Sequence, residues 1–267
     1  MKKVKNIYEN YDGEYDRLIR HRMEFYINLR YIKEHLPGKN LRILDLGGGV
    51  GRYSVALTKA GHEVTLIDLA EKNLEEAHRL CREEGVTIYR MELGNALDLS
   101  SIKDDSFDVI LAMGPFYHIK EETQRIQCIN EIKRVLINEG TLFTAHLSKC
   151  AFFKYIAKAM PEEIDKYYEN LQHVIDTGIK KYSDGDNFTD NTYCENVEDI
   201  LEFMGEYGFY DGQVIASEGL VDNIEENLQD LEDKFFDKIA ELNYRFCKDP
   251  HAVNAASHLL YKGVNKK

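Results

Sequence analysis

A run of glycines directly follows a short apolar segment near the start of the sequence. Residues 41–46 are mostly apolar, and four of the next five residues are glycine. A glycine-rich turn between a strand and a helix lets a ligand approach the backbone closely, because no Cβ atom stands in the way. Asp45, Gly47, Gly49 and Gly51 form the pattern acidic-x-Gly-x-Gly-x-Gly, so the sequence predicts a ligand-binding loop here.

Two common phosphate-binding motifs do not fit this loop. The dinucleotide fingerprint needs glycines at steps of two and then three, but the residue three positions after Gly49 is Arg52. A start at Gly48 fails as well, because position 50 is Val. A P-loop needs a Gly-Lys-Ser or Gly-Lys-Thr triplet, and neither follows. The spacing therefore disfavours a nicotinamide oxidoreductase and a P-loop enzyme.

Three segments resemble, in chain order, the class I S-adenosylmethionine-dependent methyltransferases. Residues 43–54 (ILDLGGGVGRYS) are similar to motif I of that family. Residues 111–118 (LAMGPFYH) resemble the segment after strand four of bacterial small-molecule members, and residues 134–142 (RVLINEGTL) are typical of the approach to strand five. The resemblance covers residues 41–146 well and the final strands more loosely. It implies S-adenosylmethionine as the cofactor and transfer of its methyl group by in-line displacement.

The resemblance also assigns cofactor-binding roles. Asp68 ends the second expected strand, where the family's acidic residue accepts hydrogen bonds from the ribose hydroxyls; a helix N-cap is the alternative role. Asn95, between Gly94 and Ala96, stands where the family usually has Asp beside the adenine. Its amide can still donate and accept hydrogen bonds, or it can shape a turn. Asp45 is expected to order the loop near the methionine amino group. The full expected set is Asp45, Gly47, Gly49, Gly51, Asp68, Leu69, Asn95, Ala96 and Met113.

Tyr117 and His118 are the first candidates for catalytic work on the acceptor. They follow the fourth expected strand, at the carboxyl edge of the sheet where ligands bind in doubly wound folds. They would orient the acceptor or remove a proton, and a base is needed only if the nucleophile arrives protonated. The alternative is that Tyr117 packs beneath a lid and His118 caps the next helix.

Aromatic and basic side chains of the N-terminal helix are expected to close over the cofactor. Tyr15 and Tyr26 can face a sulfonium through cation–π contacts. Arg22 can hold the methionine carboxylate, and a solvated helix face is its alternative position. His146 ends the fifth expected strand and points toward the cleft, with core packing as an equal alternative.

Strand and helix patterns alternate along the chain. This alternation predicts an α/β fold, namely a Rossmann-like, doubly wound, mostly parallel sheet of seven strands. Residues 1–38 are expected to form a helical N-terminal cap, with one helix over 7–36, and residues 39–267 the methyltransferase domain. Helical insertions are expected at about 149–192 and 219–254. Within the second, apolar residues at steps of three and four predict one amphipathic helix over 222–247, packed on its own domain or forming a dimer seam.

Composition narrows the classes of partner. The 267 residues include 47 acidic and 34 basic side chains, a formal net charge of −13, so no nucleic-acid partner is expected. No apolar stretch approaches about 18 residues and the N-terminus lacks the apolar run of a signal peptide, which predicts no membrane association and a cytoplasmic location. The five scattered cysteines include no C-x-x-C pair, and no metal site is expected.

These observations together lead to an S-adenosylmethionine-dependent methyltransferase acting on a small-molecule acceptor, as a monomer or homodimer. Two alternatives stay open. The first is a methyltransferase acting on RNA or protein, which a basic stripe with interleaved aromatics would support, and the sequence shows none. The second is a non-catalytic S-adenosylmethionine-binding module, for which the apolar stripe over 224–246 is the best support.

Overall fold

A computed structural model describes residues 2–10, 21–181 and 192–267. Its centre is one eight-stranded sheet in which seven strands follow the order β3-β2-β1-β4-β5-β8-β7 and β6 pairs with β5. The strands are β1 (Arg42–Leu46), β2 (Glu63–Asp68), β3 (Arg90–Leu93), β4 (Phe107–Ala112), β5 (Leu136–Ser148), β6 (Cys194–Glu195), β7 (Phe209–Ala216) and β8 (His258–Asn265).

The first five strands run parallel, and the last two run antiparallel to their neighbours. β1 pairs with β2 on one side and with β4 on the other, so the strand order reverses between β1 and β4. β8 lies between β5 and β7 and is antiparallel to both. The α/β class is therefore confirmed, with eight strands rather than seven. The additional strand, β6, is only two residues long and pairs with Leu147 and Ser148, too short for a periodic pattern to show in the sequence.

Eleven α-helices are present in the described ranges. They are α1 (Lys2–Asn10), α2 (Arg22–Glu34), α3 (Arg52–Lys59), α4 (Glu71–Glu84), α5 (Pro115–His118), α6 (Glu122–Val135), α7 (Ala151–Ala159), α8 (Ile164–Thr177), α9 (Val197–Glu206), α10 (Asp233–Tyr244) and α11 (Pro250–Ala255). Short 3₁₀ helices cover Pro161–Glu163 and Asp222–Leu228. None of these helices is both long enough and apolar enough to cross a membrane.

Helices cover both faces of the sheet and form two hydrophobic cores. One core contains buried residues of α6, α9 and α11, such as Ile129, Met204 and Val253. The other contains buried residues of α2, α3, α4 and α10, such as Tyr31, Leu57 and Phe236. Since both faces of the parallel strands are covered, β4 is apolar except for Asp108, and β1 is apolar except for Arg42 and Asp45.

The N-terminal helix predicted over 7–36 is wrong as one element. α1 ends at Asn10 and α2 begins at Arg22, and His21 before it has the non-helical angles φ −89° and ψ 59°. The carboxylate of Glu225 accepts a hydrogen bond from the backbone N–H of Met23, so a distant residue satisfies the new helix start. Residues 11–20 lie outside the described ranges.

The single amphipathic helix predicted over 222–247 is also wrong. The segment forms the 3₁₀ turns Asp222–Leu228, a break, and then α10. Leu228 is buried, but Ile224, Phe235 and Leu242 are between 46% and 59% exposed. The break rotates the apolar residues onto different faces, so the continuous stripe in the sequence does not become one surface.

Candidate active site

A cavity of about 160 Å³ lies at the carboxyl ends of β1 and β4, where the strand order reverses. This is the position where open α/β sheets bind ligands, because the segments leaving the two strands diverge and leave a crevice. The glycine loop after β1 forms one wall, and Met113, Gly114, Pro115 and Tyr117, after β4, form a second wall. Residues of α1 and α2, among them Tyr8 and Phe25, also line the cavity.

The glycine loop requires glycine for two separate reasons. Gly47, Gly49 and Gly51 have φ values of +71°, +55° and +80°, in the region that favours residues without a Cβ atom. At Gly48 an added Cβ would lie 2.7 Å from Cγ of Asp45, so close packing excludes a side chain there. An added Cβ at Gly49 would meet no protein atom within 4 Å. The loop therefore presents bare backbone to the cavity at Gly49.

Asp45 is a fully buried carboxyl group below this loop. Its Oδ2 accepts a hydrogen bond of 2.7 Å from Ser54 Oγ, whereas its Oδ1 has no partner among the described residues. Burial raises the pKa of Asp45 to about 6, with the nearby carboxylate of Asp68 adding to the rise and the Ser54 hydrogen bond opposing it. A buried, partly unpartnered carboxyl group at a cavity favours a ligand that brings a positive charge or an N–H donor.

Asp68 fixes both the loop and the next helix. Its Oδ2 accepts the backbone N–H of Gly49 at 2.9 Å, and its Oδ1 accepts that of Ala70 at 2.9 Å and the Asn73 side-chain amide at 3.0 Å. The Ala70 contact closes an Asx turn just before α4, whose N-cap residue is Ala70, so Asp68 does not take the helix-capping role that was its alternative. Asp68 and the adjacent Leu69 also line the cavity.

The remaining expected cofactor residues divide into two groups. Gly47, Ala96 and Met113 line the cavity, whereas Gly51 and Asn95 do not. Gly51 packs inward, since an added Cβ there would lie 3.1 Å from Cδ1 of Leu66. Asn95 turns its Oδ1 to the backbone N–H of Leu97 at 3.1 Å, which shapes the turn after β3.

The N-terminal helix α1 covers one side of the cavity. Its Val4 and Tyr8 line the space, and the Tyr8 hydroxyl is hydrogen-bonded to Nε2 of His118 at 2.9 Å. Glu9 accepts the backbone N–H of Glu71 at 2.9 Å, which joins α1 to the start of α4. Both catalytic candidates, Tyr117 and His118, lie at the cavity, and His118 is buried beneath Tyr8.

His146 lies at the cavity but its imidazole is held by protein groups on both sides. Nδ1 lies 2.7 Å from Oε2 of Glu195 and Nε2 lies 2.7 Å from Oγ1 of Thr144. The side chain is 1% exposed and its ring packs against Phe116. This arrangement corresponds to the packing alternative, in which His146 orders the ends of β5 and β6.

Two of the expected lid residues, Arg22 and Tyr26, are not among the residues that line this cavity. Arg22 donates to Oδ1 of Asp233 at 2.7 Å and to the carbonyl of Leu231 at 3.0 Å, so it joins α2 to α10. Tyr26 lines a neighbouring surface cleft together with Arg22 and Arg52. Tyr15 lies outside the described residues.

The structure adds side chains that the sequence analysis does not single out. Arg52, the first residue of α3, lines the cavity and lies over the ring of Phe25 with 4.0 Å between its Cζ and the ring centroid. His21, Glu24 and His258 line the cavity from other directions. Arg52 directly follows the glycine pattern, so its position at the cavity could have been predicted from the sequence. The other three residues reach the cavity through contacts between distant segments, which no local pattern predicts.

A second cavity of about 270 Å³ adjoins the first. The two share His21, Leu147 and His258 as lining residues. Its other walls come from the helical segments after β5 and β7, including Phe152, Tyr155 and Asp222. The two cavities therefore meet at these three residues.

Comparison with known proteins agrees with the geometry. Residues 44–144 match a family model described as a methyltransferase domain. A ubiquinone biosynthesis O-methyltransferase of Methylocella silvestris is 35% identical over 136 residues, 50% of this chain and 50% of that protein. The chain thus spans about half the length of this curated relative.

Solved structures share the fold over most of the chain. A 1,6-didemethyltoxoflavin-N1-methyltransferase of Burkholderia thailandensis, solved with its substrate and S-adenosylhomocysteine, gives a TM-score of 0.61 at 16% identity, covering 100% of this chain and 88% of that chain. A possible histamine N-methyltransferase of Thermotoga maritima gives 0.57 at 18% identity, covering 98% and 99%.

Residues 44–144 hold the glycine loop, Asp68 and the segment after β4, the three features that line the first cavity. The chain therefore carries a methyltransferase domain with the Rossmann-like fold of class I. This confirms the resemblance to the class I S-adenosylmethionine-dependent methyltransferases.

Proposed function

We propose that the protein transfers a methyl group from S-adenosylmethionine to a small-molecule acceptor. The observation that carries the proposal is the pair of adjoining cavities, one at the glycine loop and one between the helical segments, with His21 and His258 common to both. A two-substrate reaction needs two such spaces in contact, because the nucleophile and the methyl group must meet in line.

The residues of the first cavity suit S-adenosylmethionine. The bare backbone at Gly49 accommodates a nucleoside, and Asp68, one strand away, can accept hydrogen bonds from ribose hydroxyls. Asp45 supplies a buried carboxyl group with an unpartnered oxygen for the amino group, and Arg52 supplies a guanidinium for the carboxylate. When bound, this cofactor supplies a methyl group already activated on a sulfonium sulfur.

The protein's own contribution is alignment and exclusion of water. Tyr8 and Phe25 cover the first cavity, and the sulfonium lies within reach of aromatic faces in such an enclosure. Tyr117 is the side chain we assign to acceptor orientation, because it lines the cavity beside Gly114. His118 would act through its hydrogen bond with Tyr8, as a positioning residue for α1.

A small acceptor fits the second cavity better than a macromolecule does. Its volume of about 270 Å³ holds a metabolite-sized molecule, and helical segments surround it. The net charge of −13 opposes an approach by RNA. The names of the curated O-methyltransferase and of the solved N1-methyltransferase point to small acceptors but to different methylated atoms, so the proposal leaves that atom open.

Calorimetric titration with S-adenosylhomocysteine and with NAD tests the cofactor assignment. We expect S-adenosylhomocysteine to bind and NAD not to bind. Gly49→Ala should weaken S-adenosylhomocysteine binding at least about tenfold, or roughly 1.4 kcal/mol, since its Cβ meets no protein atom and enters only ligand space. Transfer of labelled methyl groups to a panel of small phenols, amines and heterocycles then tests the reaction.

Gly85→Ala is the matched control for this variant. Gly85 ends α4 with φ +64°, and an added Cβ there also meets nothing within 4 Å, so the backbone strain is comparable while the cavity is untouched. The proposal fails if NAD alone binds, or if the two variants bind S-adenosylhomocysteine equally well. Binding without transfer to any acceptor would favour a non-catalytic module.

A further inference from the structure

Three potential metal ligands converge where the two cavities meet. Glu24 of α2, Glu218 just after β7 and His258 at the start of β8 each place one donor atom within 4.8 Å of the other two. Leu147, at the end of β5, pairs with His258, so the cluster lies on the same edge of the sheet as the glycine loop. Residues from three distant segments thus present two carboxylates and one imidazole to a single point.

Glu218 carries an unsatisfied oxygen in this cluster. The residue is 1% exposed, and its Oε1 accepts a hydrogen bond from Nδ1 of His258, so an ion bound between the two side chains would displace this proton to solvent. Its Oε2 is buried and has no partner among the described residues. A buried carboxylate oxygen without a partner is costly, and a bound cation would remove that cost. This observation is independent of the proximity of the three side chains.

A second histidine lies beside the cluster, and a carboxylate orients its ring, as carboxylates orient histidine ligands in metal sites. The ring of His21 lies 6.2 Å from that of His258 between centroids, and its Nδ1 lies 3.1 Å from Oε2 of Glu225. Glu225 is itself fixed, because its Oε1 accepts the backbone N–H of Met23 at 2.9 Å. A carboxylate on one ring nitrogen orients the other nitrogen toward a ligand or metal.

We propose that Glu24, Glu218 and His258 form a binding site for a divalent transition-metal ion of the Mn²⁺ to Zn²⁺ type, facing the second cavity. Mixed oxygen and imidazole donors favour these ions over Mg²⁺, which prefers oxygen alone. Three protein ligands leave positions open toward the cavity for an oxygen of a bound molecule. The site does not depend on the proposed function; only a role in holding the acceptor rests on it.

Titration of the metal-free protein with MnCl₂ or ZnCl₂ alone, in the absence of cofactor and acceptor, tests the site. We expect one ion per chain by calorimetry and by metal analysis after gel filtration. Co²⁺ should bind as well and give visible absorption bands that report its coordination. Glu218→Gln and His258→Gln should each weaken binding at least tenfold, because each removes one ligand while nearly preserving volume.

Two variants serve as matched controls. Glu226→Gln changes a carboxylate that lines the same cavity but lies outside the cluster, and His251→Gln changes an exposed imidazole. Both should bind the ion like the parent protein. Thermal unfolding and S-adenosylhomocysteine binding report whether each variant is folded, so a failure of the metal site is distinct from a failure of the proposed function. The absence of stoichiometric binding by the parent protein, or binding unchanged in both cluster variants, would overturn the proposal.

Discussion

Asp45 combines a cost to folding with the cofactor-binding role proposed for it in a single side chain. The unfolded chain ionises this group near its ordinary pKa of 3.8, whereas the folded protein holds the pKa at about 6. Its contribution to stability is thus fully present below pH 3.8 and is lost as the pH rises through about 6. The loss amounts to roughly 3 kcal/mol at neutral pH.

Asp45→Asn should therefore stabilise the free protein at neutral pH and weaken S-adenosylhomocysteine binding. We expect a higher free energy of unfolding in urea at about pH 7.5 and a much smaller gain at about pH 4.5. Asp108→Asn is a control that should destabilise the protein. The hydrogen bond with Arg42 lowers the pKa of Asp108, so the ionised carboxylate stabilises the folded protein at pH values above the ordinary pKa of Asp. An equal gain for Asp45→Asn at both pH values would contradict the assignment.

The helix α1 contacts both the cavity and the start of α4. Tyr8 bonds to His118, Val4 is buried, and the two oxygens of Glu9 accept the backbone N–H groups of Glu71 and Lys72 at 2.9 and 3.4 Å. A carboxylate at a helix N-terminus gains from the unpaired N–H donors and from the helix dipole. Glu9 thus attaches α1 to the N-terminal end of α4.

Glu9→Gln should loosen α1 without unfolding the sheet. The neutral amide loses the interaction with the helix dipole, about 0.5–1 kcal/mol. We expect faster hydrogen exchange in α1 and faster dissociation of S-adenosylhomocysteine in stopped-flow experiments. Glu76→Gln, which changes a carboxylate within α4 that pairs with Arg79, is the control and should leave both rates unchanged. Unchanged exchange in Glu9→Gln would show that α1 is held elsewhere.

Elements defined by local patterns could be predicted from the sequence, and elements defined by distant contacts could not. β1, β2 and the glycine loop follow from apolar runs and adjacent glycines. The break at His21 could not be foreseen, because Glu225, more than two hundred positions away, satisfies the start of α2. His146 shows the same limit, since its partner Glu195 belongs to the two-residue strand β6.

The last strand joins the two halves of the molecule. β8 lies between β5 and β7, and its Asn265 donates through Nδ2 to the carbonyls of Leu136 and Ile137 at 3.2 and 3.0 Å. Asn265 is fully buried, and its hydrogen bond with the Leu136 carbonyl is buried as well. The side chain thereby connects β8 to the start of β5 at the opposite end from the candidate active site.

Asn265→Ala should destabilise the whole protein by about 1–3 kcal/mol, because buried carbonyl groups lose their partner. Urea unfolding followed by far-ultraviolet and near-ultraviolet circular dichroism should shift to lower concentration with the two signals still coincident. Asn254→Ala, at an exposed position of α11, should change stability by less than about 0.5 kcal/mol. A shift in only one signal would indicate that β8 unfolds separately.

The position of β8 also affects biosynthesis. β5 ends at Ser148, but the strand that covers its free edge starts only at His258. While the intervening residues are being translated, the nascent polypeptide exposes an unpaired apolar edge outside the ribosome. Slow decoding of those codons would lengthen this exposure, and holdase chaperones that recognise bare strand edges would act at this stage.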